Sequence, residues 1–220
     1  AVNKNWAEVK RWISDRMGQE CRVEKVTGVL NHFIVEPFVP HEQSDEYYLC
    51  LQSLRAHDEI LFTHAGGVDV GDVDSSGLRL AVPLDSDPSA QDVSQSLLAN
   101  VPEDRRRVLS GFIIATLKLF RDLNFVYMEI NPLVMTSSGR ITPLDMAAKI
   151  DETAHFLNAA QWGHIDFPAP FGRAEFPEEA FVKRLDQSSG SSLKLTILNQ
   201  HGRVWTMVAG GGASVVYADT

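Results

Sequence analysis

Trp6, Val9, Ile13 and Met17 recur three or four positions apart with Trp12 beside them, which predicts a helix over about Asn5–Met17 with one buried stripe, stopped at Gly18. The pattern then changes. Cys21–Val26 and Thr27–Val39 are rich in Val, Ile and Phe and read as extended segments closed by Pro37 and Pro40. Tyr47–Leu54 and Glu59–Thr63 read as two strands joined through Arg55-Ala56-His57-Asp58. Residues 82–101 are polar with scattered prolines and read as surface structure. A long helix is expected from Pro102 to Leu123, with Glu103 and Asp104 at its positive end. Leu109, Phe112, Ile113, Leu117 and Phe120 form its apolar face, and Arg105-Arg106-Arg107 reads as a solvated patch. Two further strands follow Asn124. Beyond them the proline-rich stretch Phe167–Arg173 reads as a linker, then a short helix at Pro177–Leu185 and strands at Leu193–Leu198 and Arg203–Val208. The last strand runs into Gly210-Gly211-Gly212, and in an α/β unit such a strand normally opens a helix. The overall pattern is mixed α/β.

Composition narrows the function classes. With 44% hydrophobic and 22% charged residues in 220, the chain can bury a core. Its 20 Lys and Arg against 29 Asp and Glu give a net charge of -9, which argues against a nucleic-acid partner. No apolar run approaches the roughly 18–20 residues of a bilayer span, so no membrane partner is expected. Cys21 and Cys50 are expected to be free, buried thiols. The chain opens without Met and stops inside a strand–glycine pattern, and a segment of a longer multidomain protein is the expectation.

The most chemical segment is Phe125–Asp145. Phe125, Tyr127, Glu129 and Asn131 alternate onto one face of a strand, and Ser137-Ser138-Gly139 supplies a three-residue hairpin loop. Centring the hairpin on Ser138 places Asn131 opposite Asp145, with Cβ atoms roughly 4.5–5.5 Å apart. A carbonyl and a carboxylate so placed suit Mg²⁺, which takes one or two protein oxygens and completes its shell with water and phosphates. A surface hairpin with a chance acidic pair fits the same spacing. Pro143 cannot donate to a ladder, so its strand is expected at an edge. Ile34–Pro40 forms a rigid proline-flanked link whose backbone at Glu36, Phe38 and Val39 could meet the edge of a flat base, with Glu46 placed for a ribose; plain architecture fits it equally. Gly66-Gly67-Val68-Asp69 either lets amides approach a phosphate or turns the chain after a strand, and it lacks the Lys and Ser/Thr of a P-loop.

Together these segments resemble the ATP-citrate lyase family of the succinyl-CoA synthetase superfamily. The resemblance rests on Ile34–His41, Gly66–Val73, Glu129-Ile130-Asn131-Pro132-Leu133-Val134, Leu144–Lys149, Trp162-Gly163-His164, Pro170–Arg173 and Trp205–Val216. It implies an α/β chain: a partial ATP-grasp domain over residues 1–166, a linker over 167–176, and over 177–220 the start of a Rossmann-like or flavodoxin-like citrate-binding domain. Glu36, Pro37, Phe38, Val39 and Glu46 would bind ATP, Asn131 and Asp145 would hold Mg²⁺, and Gly210, Gly211, Gly212, Ala213 and Ser214 would meet citrate. The family cleaves citrate with ATP and CoA to acetyl-CoA and oxaloacetate, through a phosphohistidine, citryl phosphate and citryl-CoA. None of the 7 histidines lies in the phosphohistidine motif, so no catalytic residue is expected within the chain. The resemblance also implies a cytosolic homo-oligomer, with the enzyme's remaining domains as partners. One departure is Ala65, where related sequences carry a Glu that assists phosphoryl transfer to histidine. Two other identities are carried alongside: the β subunit of a succinyl- or malate-CoA ligase, which Trp205–Val216 and the 167–173 link disfavour, and a non-catalytic ATP-grasp-like module, which Ala65 keeps open.

Overall fold

The computed structural model describes residues 3–23, 25–67, 71, 73–165, 171–173, 175–189 and 193–208. The chain divides into two compact units, Ala1–Glu36 with Phe167–Thr220, and Pro37–Asp166.

In the first unit, helix α1 spans Trp6–Ser14, its N-terminus closed by a capping box between Asn5 and Glu8. The expected stripe is only partly covered: Val9, Trp12 and Ile13 are half-buried, whereas Trp6 and Met17 are exposed. Trp12 meets Phe33 edge-on at 5.7 Å between ring centroids. Strands β1 (Glu20–Val23) and β2 (Val26–Val29) pair antiparallel, and residues 30–42 then run without regular structure, so the extended segment expected to Val39 ends ten residues early as a strand.

The second unit holds a six-stranded sheet. Strands β3 (Glu46–Ser53) and β4 (His57–Thr63) form the expected hairpin. A short helix α2 (Val73–Ser76) leads to β5 (Leu78–Pro83), and then to helices α3 (Ala90–Leu97) and α4 (Glu103–Asp122). Strands β6 (Phe125–Met135), β7 (Ile141–Pro143) and β8 (Met146–Ile150) follow, and helix α5 (His155–Trp162) closes the unit. The order is β5-β4-β3-β6-β7, with β8 also paired to β6. All pairs are antiparallel. Pro143 lies on an edge strand, where its missing N–H costs no ladder bond.

Alternation along β3, β4 and β6 sends Leu49, Leu51, Ile60, Phe62, Met128 and Ile130 into one core with Val93 and Leu97 of α3 and Leu109, Ile113, Leu117 and Phe120 of α4. Residues 82–101 are therefore not mere surface: Ser89 and Asp92 cap α3, and Val93, Leu97, Leu98 and Val101 are buried. Arg105 and Arg106 are not a solvated patch either. Arg105 donates to Asp45 at 2.7 Å, to the Tyr47 hydroxyl at 3.0 Å and to the Met135 carbonyl at 3.2 Å, and Arg106 to the carbonyls of Val101 and Ala99. Both cysteines are free; Cys50 is buried and Cys21 half-buried.

The chain returns to the first unit at Phe171-Gly172-Arg173, which packs on β2 so closely that a Cβ at Gly28 would stand 2.8 Å from the Gly172 nitrogen. Helix α6 (Pro177–Ser189) carries Glu179, a buried carboxylate that accepts from Arg173 at 2.6 Å and from the Ile197 and Phe176 N–H groups at 2.8 and 3.1 Å. The strands expected at Leu193–Leu198 and Arg203–Val208 are absent from the described residues. Ile197 gives its N–H to Glu179 instead of a ladder, although the expected turn forms through the Gly202 N–H and Asn199 carbonyl at 2.9 Å.

Candidate functional site

The β6–β7 turn sets the geometry of the site. Leu133 faces Pro143, Val134 faces Thr142 and Met135 faces Ile141, a hairpin centred on Ser138. The same register carries Asn131 to Asp145, and the Asn131 N–H donates to the Asp145 carbonyl at 3.1 Å. The Asp145 side chain is exposed beside this pair.

The Asn131 carboxamide is already engaged. Its oxygen accepts from the Gly67 N–H at 2.7 Å, and its nitrogen donates to the Gly67 carbonyl at 3.3 Å. This two-bond clamp fixes the glycine loop over the middle of β6. Both glycines are required there. A Cβ at Gly66 would lie 2.8 Å from the Tyr47 nitrogen and nearer still to its carbonyl, while Gly67, at φ +87°, would drive a Cβ into the Glu46 carboxylate. Thr63 Oγ1 shapes the approach to the loop by accepting from the Ala65 N–H at 3.0 Å and donating to its carbonyl at 2.8 Å. Ala65 itself is exposed.

Glu46 opens β3 with one carboxylate oxygen against Gly67 and the other on His41 Nε2 at 3.0 Å. The other ring nitrogen of His41 bonds the Val39 carbonyl at 2.7 Å. The Val39 bond, then Glu46, raise the His41 pKa against the opposing effect of burial. Behind Glu46, Arg105 holds the Asp45 carboxyl below the usual carboxylate range and ties the start of β3 to α4.

Across the same face of the sheet, Tyr48, Cys50, Leu61 and Tyr127 cluster. Burial raises the pKa of Tyr48, Cys50 and Tyr127 alike, which favours the uncharged thiol at Cys50. Glu129, on the face of Asn131, takes the hydrogen bond of the Tyr127 hydroxyl.

Four of the expected site residues are thus linked in one unit: Val39 and Glu46 through His41, Glu46 to Asn131 through Gly67, and Asn131 to Asp145 through the backbone. Pro37 and Phe38 adjoin them in the chain and are exposed, whereas Glu36 belongs to the other compact unit. Gly210–Ser214 and Val68–Val70 lie outside the described residues. Two roles escaped sequence reasoning, the His41 bridge and the Asn131 clamp; the second joins residues 64 positions apart, with no local signature. Among the described residues no three His, Cys, Asp or Glu side chains gather as a metal cage, and no helix is long and apolar enough to cross a membrane.

Residues 1–162 match the family described as ATP-citrate synthase ATP-grasp domain, and residues 173–220 match that described as ATP citrate lyase citrate-binding. The human ATP-citrate synthase is 51% identical over 219 residues, covering 100% of this chain and 20% of that protein. The probable ATP-citrate synthase subunit 2 of Schizosaccharomyces pombe is 44% identical over 249 residues, covering 99% of this chain and 51% of its own length. The structure of ATP citrate lyase from Methanothrix soehngenii in complex with citrate and coenzyme A superposes with a TM-score of 0.84 at 41% identity, covering 100% of this chain and 51% of that one. The chain therefore spans between about a fifth and about a half of these relatives.

Proposed function

This chain belongs to the ATP-citrate synthase family, and from that premise we propose that it is a segment of an enzyme that uses ATP and CoA to cleave citrate to acetyl-CoA and oxaloacetate. Residues 1–166 form the later part of the nucleotide-binding domain, 167–176 a connection, and 177–220 the start of the citrate-binding domain. The segment carries part of the ATP site and does not turn over alone; the phosphorylated histidine lies elsewhere in the enzyme, as do most citrate and CoA contacts. The enzyme works in the cytosol as a homo-oligomer.

The observation that best supports this reading is the Gly67 clamp. Asn131 and Glu46 converge on the same glycine from two strands, bringing a candidate metal ligand and a candidate ribose acceptor to one loop. In this reading Glu36–Val39 receive the adenine and Glu46 the ribose. Asn131 and Asp145 fit Mg²⁺. The Asn131 oxygen keeps a second lone pair beyond its bond to Gly67, Asp145 is exposed opposite, and both are hard oxygen donors. Two protein oxygens suit Mg²⁺ bound with nucleotide phosphates, and the metal supplies charge neutralisation on the phosphoryl oxygens. The Gly67 amide is held by Asn131, so phosphates would meet the loop and not that N–H. Gly210–Ser214 are proposed to meet citrate.

The test is ADP release by the intact protein. Release that requires both citrate and CoA is expected; release with succinate in place of citrate overturns the assignment of substrate.

A further inference from the structure

We propose that Thr63 and the turn Ala65–Gly67 are positioning elements for the candidate metal pair, fixing which atom of the Asn131 carboxamide a cation meets. The proposal rests on the reading of Asn131 and Asp145 as the Mg²⁺ ligands. Each residue of the turn is held. Thr63 Oγ1 accepts from the Ala65 N–H at 3.0 Å and donates to the Ala65 carbonyl at 2.8 Å. Gly66 lies against the Tyr47 backbone. The Asn131 carboxamide accepts from the Gly67 N–H at 2.7 Å and donates to the Gly67 carbonyl at 3.3 Å. Thr63, at the end of β4, and Asn131, on β6, thus each grip the N–H and the carbonyl of a single residue. None of these bonds uses the Ala65 side chain, so the departure at that position leaves the frame intact.

The grip on Gly67 matters because a carboxamide has two unlike ends. A backbone N–H only donates and a carbonyl only accepts, so the Gly67 backbone can be met in one orientation alone, oxygen to the N–H and NH₂ to the carbonyl. That orientation leaves the second lone pair of the Asn131 oxygen for a hard cation. Without the Gly67 backbone in place the carboxamide can rotate about its Cβ–Cγ bond and turn its NH₂, which offers no lone pair, toward the cation. The clamp thus serves Asn131 as a hydrogen-bonded partner serves a ligand group behind a metal. Thr63 reaches it through the backbone: its hydroxyl sets the Ala65 peptide, and Gly66, pressed on Tyr47, passes that position to Gly67. The coupling is a free energy and is therefore reciprocal. Whatever loosens the turn weakens the metal site, and metal bound at Asn131 tightens the turn.

The experiment is equilibrium binding of ATP to the intact protein, with Mg²⁺ and with Mg²⁺ chelated, for the wild type, Thr63→Val, Thr63→Ser and Asn131→Ala. Amide exchange at Gly67 is followed in the same proteins without nucleotide. Mg²⁺ is expected to tighten ATP binding by the wild type, and Asn131→Ala to lose most of that gain. Thr63→Val, which keeps the shape and removes the hydroxyl, should lose about 3- to 10-fold of the gain, the worth of one hydrogen bond, while binding without Mg²⁺ falls far less. Thr63→Ser should restore it. Gly67 exchange should quicken in Thr63→Val and Asn131→Ala alike, and adding Thr63→Val to Asn131→Ala should cost nothing further. If the valine variant does not fold, Thr63→Ala takes its place. An unchanged gain in the variant lacking the hydroxyl overturns the proposal. So does an equal loss with and without Mg²⁺, which marks a purely structural role, and so does a full further loss on the Asn131→Ala background. A wild type whose ATP binding ignores Mg²⁺, or an Asn131→Ala variant that keeps the whole gain, refutes the metal reading itself.

Discussion

On one face of the six-stranded sheet, Leu49, Leu51, Ile60, Phe62, Met128 and Ile130 are at most 2% exposed and pack with α3 and α4. On the other, the same strands present Tyr48, Cys50 and Leu61 as a small cluster, and then Gln52, Glu59, Tyr127, Glu129 and Asn131, all half-buried. The first face is held mainly by apolar area and shape, which is non-directional. The second is held by directed bonds: Tyr127 to Glu129, Gln52 to Glu59, Asn131 to Gly67. Stability and chemistry are thus divided between alternate residues of single strands. Changes on the helix side should cost folding free energy, and changes at the site end should cost ligand binding.

The largest expected effect tests the packed face. Phe62 is fully buried and stacks on Tyr47, so Phe62→Ala should destabilise the unit by about 3–5 kcal/mol, read as a lower denaturant midpoint at unchanged slope. Next comes the joint between the two regimes, Asp45 with Arg105, whose side chains are 13% and 20% exposed. Asp45→Asn should cost about 1–3 kcal/mol after allowance for this partial exposure. The pH dependence follows from the sign of the shift. The folded carboxyl titrates below its ordinary value of 3.8, so its contribution is present above that value and is lost as pH falls through the folded pKa. An acid unfolding curve of the Asn variant should lack that loss; an unchanged acid limb would detach Asp45 from the joint. His41 runs the other way, its contribution complete below its ordinary 6.5 and lost as pH rises through the raised value. The smallest effect on folding is expected at the site itself. Asp145→Asn should leave the unfolding midpoint in place while weakening Mg²⁺-dependent nucleotide binding by about 10- to 100-fold. Unchanged binding across a magnesium titration removes Asp145 from the site.

Much of the packed face was legible from spacing, because one period governs it. Leu109, Ile113, Leu117 and Phe120 read directly as the buried side of α4, and the Ser138-centred hairpin placed Asn131 opposite Asp145 by counting. Helix α3 was missed although Ser89 and Asp92 form a capping box ahead of Val93 and Leu97. Its polar residues and flanking prolines masked a four-residue repeat only two turns long. The strands expected after Leu193 fail for another reason. Alternation shows that a segment can pair, and only tertiary structure decides what its N–H groups meet, here Glu179 for Ile197. The site was legible as residue types and not as contacts. Gly67 meets Glu46 and Asn131 because β3, β4 and β6 lie side by side, an adjacency carried by the topology and not by a motif.

The proposed nucleotide site of residues 37–46, the Gly67 loop and Asn131 has a reporter in the Val39 amide, which bonds no group among the described residues. Hydrogen exchange of that amide should be compared in the intact protein with and without ATP and Mg²⁺. Exchange at Val39 is expected to slow sharply on saturation with ATP while the helix-covered strands keep their rates. An unchanged Val39 rate at saturating ATP would contradict it.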